Sequence, residues 1–262
     1  MKSTPWWGTF DLAESHTLLF GNNAFMLAVE HKPKEWCIQV QRNKTPDIEF
    51  EESEFTKHIG EFCLLDNDAQ TRHIVSQKTT RVEIKPCLAD RTVVCRPISP
   101  ITVAPGASVI IYLSTPIWIS IGLHLNNDIL LREVATQQLS DTWFGPSTRE
   151  GEFCYASQTN GRLDIDKLHR RVQRAITPLQ IENNADSNLH FERVALPVPT
   201  LSIYTADMGQ LWTENVSLIR EDDGGFAKLK LGHPPVDSTL VSGPRVELEH
   251  GKLVRAFSAI FG

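Results

Sequence analysis

No Cys-x-x-Cys pair, no His-x-His or His-x-x-x-His spacing and no unbroken apolar run long enough to span a bilayer occur in this 262-residue chain. Each absence removes a class. The five cysteines, Cys37, Cys63, Cys87, Cys95 and Cys154, are odd in number and far apart, so neither a disulfide framework nor a zinc ribbon can be read from them. They read as small buried hydrophobes in a reducing compartment, with Cys154 the one that has a claim to partial exposure. The nine histidines lack the spacing by which one helix or strand grips a metal, so no metal site is expected. The longest apolar stretch, Val109 to Leu125, is interrupted by Ser114, Thr115, Pro116, Ser120, Gly122 and His124, and no transmembrane segment is expected. Met1 to Phe10 lacks the ~7–15-residue apolar core of a signal peptide, which points to the cytoplasm.

Positive charge is also scarce. The formal net charge is -6 and is spread along the chain, whereas phosphate backbones need clustered Lys and Arg, so no nucleic-acid partner is expected. Catalytic motifs are missing as well. Gly145-Pro146-Ser147-Thr148-Arg149 is not a nucleophile elbow, and Asp223-Gly224-Gly225 is not a dinucleotide fingerprint and reads as a hairpin turn. Asn126-Asn127-Asp128 has calcium-type oxygens without the remaining loop spacing, and a turn is the better reading. No cofactor is implied.

Alternation is present. Thr9 to Leu12, Thr17 to Phe20, Ala24 to Glu30 and Glu35 to Gln41 read as strands, separated by Gly21-Asn22-Asn23 and Lys32-Pro33-Lys34. From Asp47 to Gln77 the pattern weakens around the acidic run Glu49, Glu51, Glu52 and Glu54, which fits a solvated face or an edge strand. Strand pattern returns at Arg81 to Lys85, Arg91 to Arg96, Ile101 to Val103, Ser108 to Leu113 and Ile117 to Leu123, with turn residues about every ten positions, and again at Glu152 to Gln158, Ile176 to Glu182, Asn188 to Leu196, Thr200 to Thr205, Leu211 to Ile219 and Phe226 to Leu231. Asp164 to Arg174 is a short helix candidate, equally readable as an extended linker. Leu253, Phe257, Ile260 and Phe261 stand at i, i+4, i+7 and i+8, which predicts a C-terminal amphipathic helix over residues 252–261. That helix would dock on its own sandwich or on a second copy, giving a homodimer. The expected fold is all-β and immunoglobulin-like, with a β-meander over residues 1–88 and a β-sandwich over residues 89–262.

One stretch stands apart. Leu139 to Tyr155 packs Trp143, Phe144, a Gly-Pro break, opposite charges, Phe153 and Tyr155 into a segment that reads as an irregular loop. Arg149 offers a planar five-donor fork, Asp141 and Glu150 carboxylates, Trp143 and Tyr155 stacking surfaces, and Gly145 and Gly151 close backbone approach. These five, Asp141, Trp143, Arg149, Glu150 and Tyr155, are the candidate ligand-binding residues. The competing structural account has Arg149 pair with Glu150 or Glu152 at the surface, or with Asp141 as a buried staple.

This stretch, with Ala175-Ile-Thr-Pro-Leu-Gln-Ile-Glu-Asn and Val194-Ala-Leu-Pro-Val-Pro-Thr-Leu-Ser-Ile-Tyr, resembles DUF432, an uncharacterised prokaryotic family. The matched phrases cover roughly the second half of the chain. The resemblance implies no activity and no catalytic residue. It implies a soluble prokaryotic protein in which the aromatic stretch is a signature. The functional expectation is a non-catalytic cytoplasmic binding or interaction module for a protein or small polar ligand. The alternative is an enzyme acting on a sugar or phosphorylated small molecule through residues 139–155.

Overall fold

The computed structural model describes residues 5–42, 54–62, 70–125, 128–147, 149–157, 159–206, 209–223, 225–248 and 251–257. Their regular structure is β-strand throughout, apart from two three-residue 3-10 turns at Ile165–Lys167 and Val198–Thr200. The all-β class is as expected. The chain forms two compact units, one of residues 1–86 and 118–137, the other of residues 87–117 and 138–262.

The first unit holds two sheets. A five-stranded sheet runs in the order Thr56–Gly60, Thr17–Gly21, Phe25–Lys32, Glu35–Arg42, Gln70–Ile74, every neighbouring pair antiparallel. A four-stranded sheet runs Gly8–Asp11, Arg81–Cys87, Trp118–Leu123, Ile129–Ala135. The turn after Gly21 is fixed by chemistry local to it: Asn22 Oδ1 accepts the backbone N–H groups of Ala24 and Phe25. Gly21 itself sits at φ +151°, and a Cβ there would run into the Phe25 carbonyl. Trp36, fully buried, stacks on the His31 ring at 4.2 Å. Trp6 stacks on Phe20, so aromatic area supplies much of this core.

The second unit is organised around the ten-residue strand Arg174–Asn183. Ser108–Pro116 pairs along one side of it antiparallel, while Leu211–Trp212 and Val216–Arg220 pair along the other in parallel. Its first four residues are all buried, and from Pro178 on buried positions alternate with half-buried ones. Both ends are anchored by buried polar groups. Arg174 donates to the Ser114 carbonyl and to Ser157 Oγ, and Asn183 donates to the carbonyls of Val103 and Ser187.

The helix expected at the C-terminus is corrected, and the open reading of Asp164 to Arg174 is resolved. The C-terminal segment is a strand, Leu253–Arg255, antiparallel to Phe226–Lys228, and Phe257 bridges to Val194. Residues 258–262, which include Ile260 and Phe261, lie outside the described residues. Leu253 is 64% exposed while Phe257 is 2% exposed, so the two do not share a buried face. A short segment gains little from helix nucleation, whereas the open edge beside Phe226 offers it backbone partners at once. Between Asp164 and Arg174 only Ile165–Lys167 is helical, with Asp164 Oδ1 accepting the Asp166 N–H. Leu168 is buried beyond it, and a turn closed by the Arg174 N–H on the Arg171 carbonyl leads into the long strand.

Candidate functional site

The stretch read as an irregular loop is a β-hairpin, and its strand period separates two faces. Ser140–Ser147 pairs antiparallel with Glu150–Ala156, setting Asp141 opposite Tyr155, Thr142 opposite Cys154, Trp143 opposite Phe153 and Phe144 opposite Glu152. The inner face carries Phe144 and Cys154, both fully buried in one cluster with Val94 and Ala195. The outer face carries Asp141, Trp143, Phe153 and Tyr155. Trp143 is 42% and Phe153 52% exposed, side by side. The register shifts between Phe144 and Ser147, at the Gly145-Pro146 step, and this bulge hides the alternation from the sequence.

The exposed rings are held firmly. Trp143 Nε1 donates to the Ser147 carbonyl at 2.8 Å, closing the indole over the hairpin tip. Gly151 permits this, because a Cβ there would strike the indole nitrogen and lie 2.8 Å from Trp143 Cε2. A Cβ on Gly145 would likewise strike the Glu150 carbonyl and lie 2.5 Å from Gly151 Cα. The Arg91 guanidinium lies 4.8 Å from the Phe153 ring centroid and 4.9 Å from that of Tyr155. Its Nη1 donates to Asp141 Oδ1 at 3.2 Å. The Tyr155 hydroxyl donates to Asp90 Oδ1 at 3.0 Å, and burial, followed by that bond, raises the phenol above its ordinary pKa. Thr92 Oγ1 donates to Glu152 Oε2 at 3.0 Å.

Three of the five candidate residues therefore meet, and two do not. Asp141, Trp143 and Tyr155 share the outer face. Asp141 pairs with Arg91 rather than with Arg149. Arg149 and Glu150 stand at the tip, where their backbone N–H groups donate to Ser147 Oγ, and among the described residues their side chains make no ion pair. The residues missed are Asp90, Arg91 and Thr92, which lead into Val93–Cys95, the strand parallel to Glu150–Ala156. Their signal was weak, since Arg91 is at least fifty positions from the hairpin residues it touches.

Ser140–Ser147 is the end strand of its sheet, followed by Glu150–Ala156, Val93–Cys95 and Val194–Leu196. The Tyr155 N–H donates to the Thr92 carbonyl, away from the hairpin partner. Parity then makes Asp141 opposite Tyr155 and Trp143 opposite Phe153 the non-hydrogen-bonded pairs, so the backbone groups of Asp141 and Trp143 face the open edge. The hairpin thus offers unpaired donors and acceptors beside bare aromatic area.

Cys154 is fully buried, which corrects the expectation of partial exposure. Burial pushes its thiol, and that of Cys95, up to about 12. Roughly one such thiol in ten thousand is ionised at pH 8. Native protein treated with iodoacetamide at pH 8 should therefore remain unlabelled at Cys95 and Cys154, as peptide mass spectrometry can read, and fast labelling of either would contradict the packing. Because both pKa values are raised in the fold, their contribution to stability is complete below pH 9 and is lost as pH rises toward 12.

Among the described residues no group of three His, Cys, Asp or Glu stands together to hold a metal. No helix among them is long and apolar enough to cross a membrane. A family model described as "Protein of unknown function (DUF432)" matches residues 6–261, extending the likeness to the first eighty residues, where the sequence phrases had not reached. No curated protein and no solved structure matches.

Proposed function

This chain belongs to DUF432, a family whose description assigns no activity, and we propose from its geometry that it is a non-catalytic interaction module. The hairpin Ser140–Ala156 is its docking element, and an extended peptide strand is its ligand. One observation carries this reading: Trp143 and Phe153 are exposed together on a face whose rings are fixed from behind, beside a free strand edge. Preorganised aromatic area is what binding hot spots are made of, and an open edge supplies the main-chain ladder. The titratable groups of the face support binding over catalysis, since Asp141 is engaged by Arg91 and Tyr155 by Asp90.

The added strand has a chemistry. A residue opposite Trp143 lies on the same face as the indole, and residues two positions away lie opposite Gly145 and Asp141. Asp90 and Asp141 outnumber Arg91 on this face, so the residue opposite Asp141 is Lys or Arg and the one opposite Trp143 is apolar or aromatic. Selection from a displayed peptide library should return that spacing, apolar-x-basic. Trp143→Ala should weaken the selected peptides at least tenfold while leaving the melting temperature within a degree or two, because the ring is half out of the core. Trp143→Pro, which also deletes an edge N–H, should abolish binding. Peptides that bind both variants unchanged would overturn the reading.

A reducing prokaryotic cytoplasm belongs to the same proposal, supported by Cys37, Cys95 and Cys154, which stand outside any disulfide. So does an immunoglobulin-like sandwich arrangement, which the two antiparallel-rich sheets of the first unit favour.

A further inference from the structure

A second site lies in the first unit, on the two strands that end its sheets. Gln70–Ile74 ends the five-stranded sheet and Ile129–Ala135 the four-stranded one. In the first, Thr71 and His73 are half-buried while Arg72 and Ile74 are exposed, and they pair with the fully buried Ile38 and Trp36, so both share the inner face. In the second, Arg132 pairs with Ile121, also fully buried. Cross-strand partners project on one side, so Thr71, His73 and Arg132 all point inward from edge strands. They converge. Arg132 Nη1 donates to Thr71 Oγ1 at 3.0 Å, and His73 Nε2 lies 3.2 Å from the same oxygen. Arg42, on the Trp36 and Ile38 side of its strand, donates through Nε at 2.9 Å and Nη2 at 2.7 Å to the carbonyl of Ala135.

Like charges have thus been gathered at one place. Arg42 is held below its ordinary pKa by burial and by the charge of Arg132, and His73 is lowered by the same two causes in the same order. Among the described residues none of the three makes an ion pair. A structural account exists: inward-pointing charge on an edge strand discourages edge-to-edge pairing. One charge would do that. Two guanidinium groups, an imidazole and a hydroxyl exceed the need, and their mutual repulsion costs stability that an anion would restore.

We propose that Arg42, Arg132 and His73, with Thr71 holding the last two in place, form a binding site for a tetrahedral oxyanion of the phosphate class, free or as a small phosphate ester. Arg132 retains Nε and Nη2, Arg42 retains Nη1 and His73 its second ring nitrogen, and guanidinium forks match phosphate oxygens in pairs. The site is separate from the hairpin and does not rest on its function.

Isothermal titration calorimetry of the full chain with inorganic phosphate and with glucose 6-phosphate, at ionic strength held constant with NaCl, tests this. Saturable one-site binding is expected, weakened at least tenfold by Arg132→Gln and by Arg42→Gln and unchanged by Lys34→Gln, which removes an exposed charge elsewhere in the unit. Tighter binding of the ester identifies an esterified ligand, and equal or tighter binding of inorganic phosphate identifies the free ion. If circular dichroism shows that Arg132→Gln does not fold, Arg132→Lys decides, since it keeps the charge but loses the fork and should still weaken binding severalfold. Absence of saturation, or equal loss in Arg132→Gln and Lys34→Gln, overturns the site. So does an Arg132→Leu variant that dimerises yet binds phosphate as before, because the arginine would then only guard an edge.

Discussion

Phe144→Ala is expected to destabilise the second unit by about 3–5 kcal/mol and to remove peptide binding at the hairpin with it. The ring is fully buried against Val94, Cys154 and Ala195, with the Arg193 guanidinium 5.7 Å from its centroid. Alanine would leave a cavity that strand geometry cannot close, because Phe144 is fixed by its rung to Glu152. Its neighbour Trp143 makes the contrast. One position along the same strand, the indole is 42% exposed, and its loss should cost binding but little stability. Urea denaturation, with hydrogen exchange read separately over each unit, distinguishes the two variants. A Phe144→Ala protein within about 1 kcal/mol of the parent would mean that the hairpin is not anchored through this ring.

The second large effect is expected at Arg220, in the strand parallel to the long one. Its side chain is almost wholly buried, and its Nη1 donates to Asn183 Oδ1 and to the Ser187 carbonyl, each at 3.0 Å. Its Nη2 donates to Ser187 Oγ and Asp223 Oδ1, and Ser187 Oγ in turn donates to Asp223. Arg220→Met keeps the length but leaves the buried Asn183 Oδ1 without its donor, at about 1–3 kcal/mol, and strips a second donor from the Ser187 carbonyl. Asp223→Asn should cost far less, since the Asp223 side chain is 71% exposed and water replaces it. Faster amide exchange at Asn183 and Asn184, whose N–H groups donate to the Ala107 and Arg220 carbonyls, should accompany Arg220→Met alone. Equal destabilisation by both variants would shift the weight from the buried acceptors to the ion pair.

Strands were legible wherever one face is buried and turn residues bound the run. Thr17–Gly21, Phe25–Lys32, Glu35–Arg42 and Phe226–Leu231 stand within two residues of their expected limits because their periodicity is local. The first strand of the hairpin was not legible as strand. Trp143 and Phe144 are both apolar, yet one faces solvent and the other the core, so hydropathy alternation fails where the function is proposed. Ile129–Ala135 was missed for a similar reason, since its inward Arg132 and outward Leu130 invert the usual pattern. At the C-terminus the spacing of Leu253 and Phe257 suits a helix, but an unpaired edge beside Phe226 took the segment as strand.

By itself the sequence determined the all-β class, the places where the chain turns, the family, and the choice of Leu139 to Tyr155 as the segment to examine. All of these follow from residue types and short spacings. Tertiary structure decided that Asp141 meets Arg91 and not Arg149, that Cys154 is buried, that Trp118–Ala135 joins the N-terminal unit, and that Arg132 and His73 meet at Thr71. Those outcomes depend on which strands pair across tens of residues. Pairing of that range is settled by the burial of whole sheets, a sum over many small contacts that no local spacing encodes.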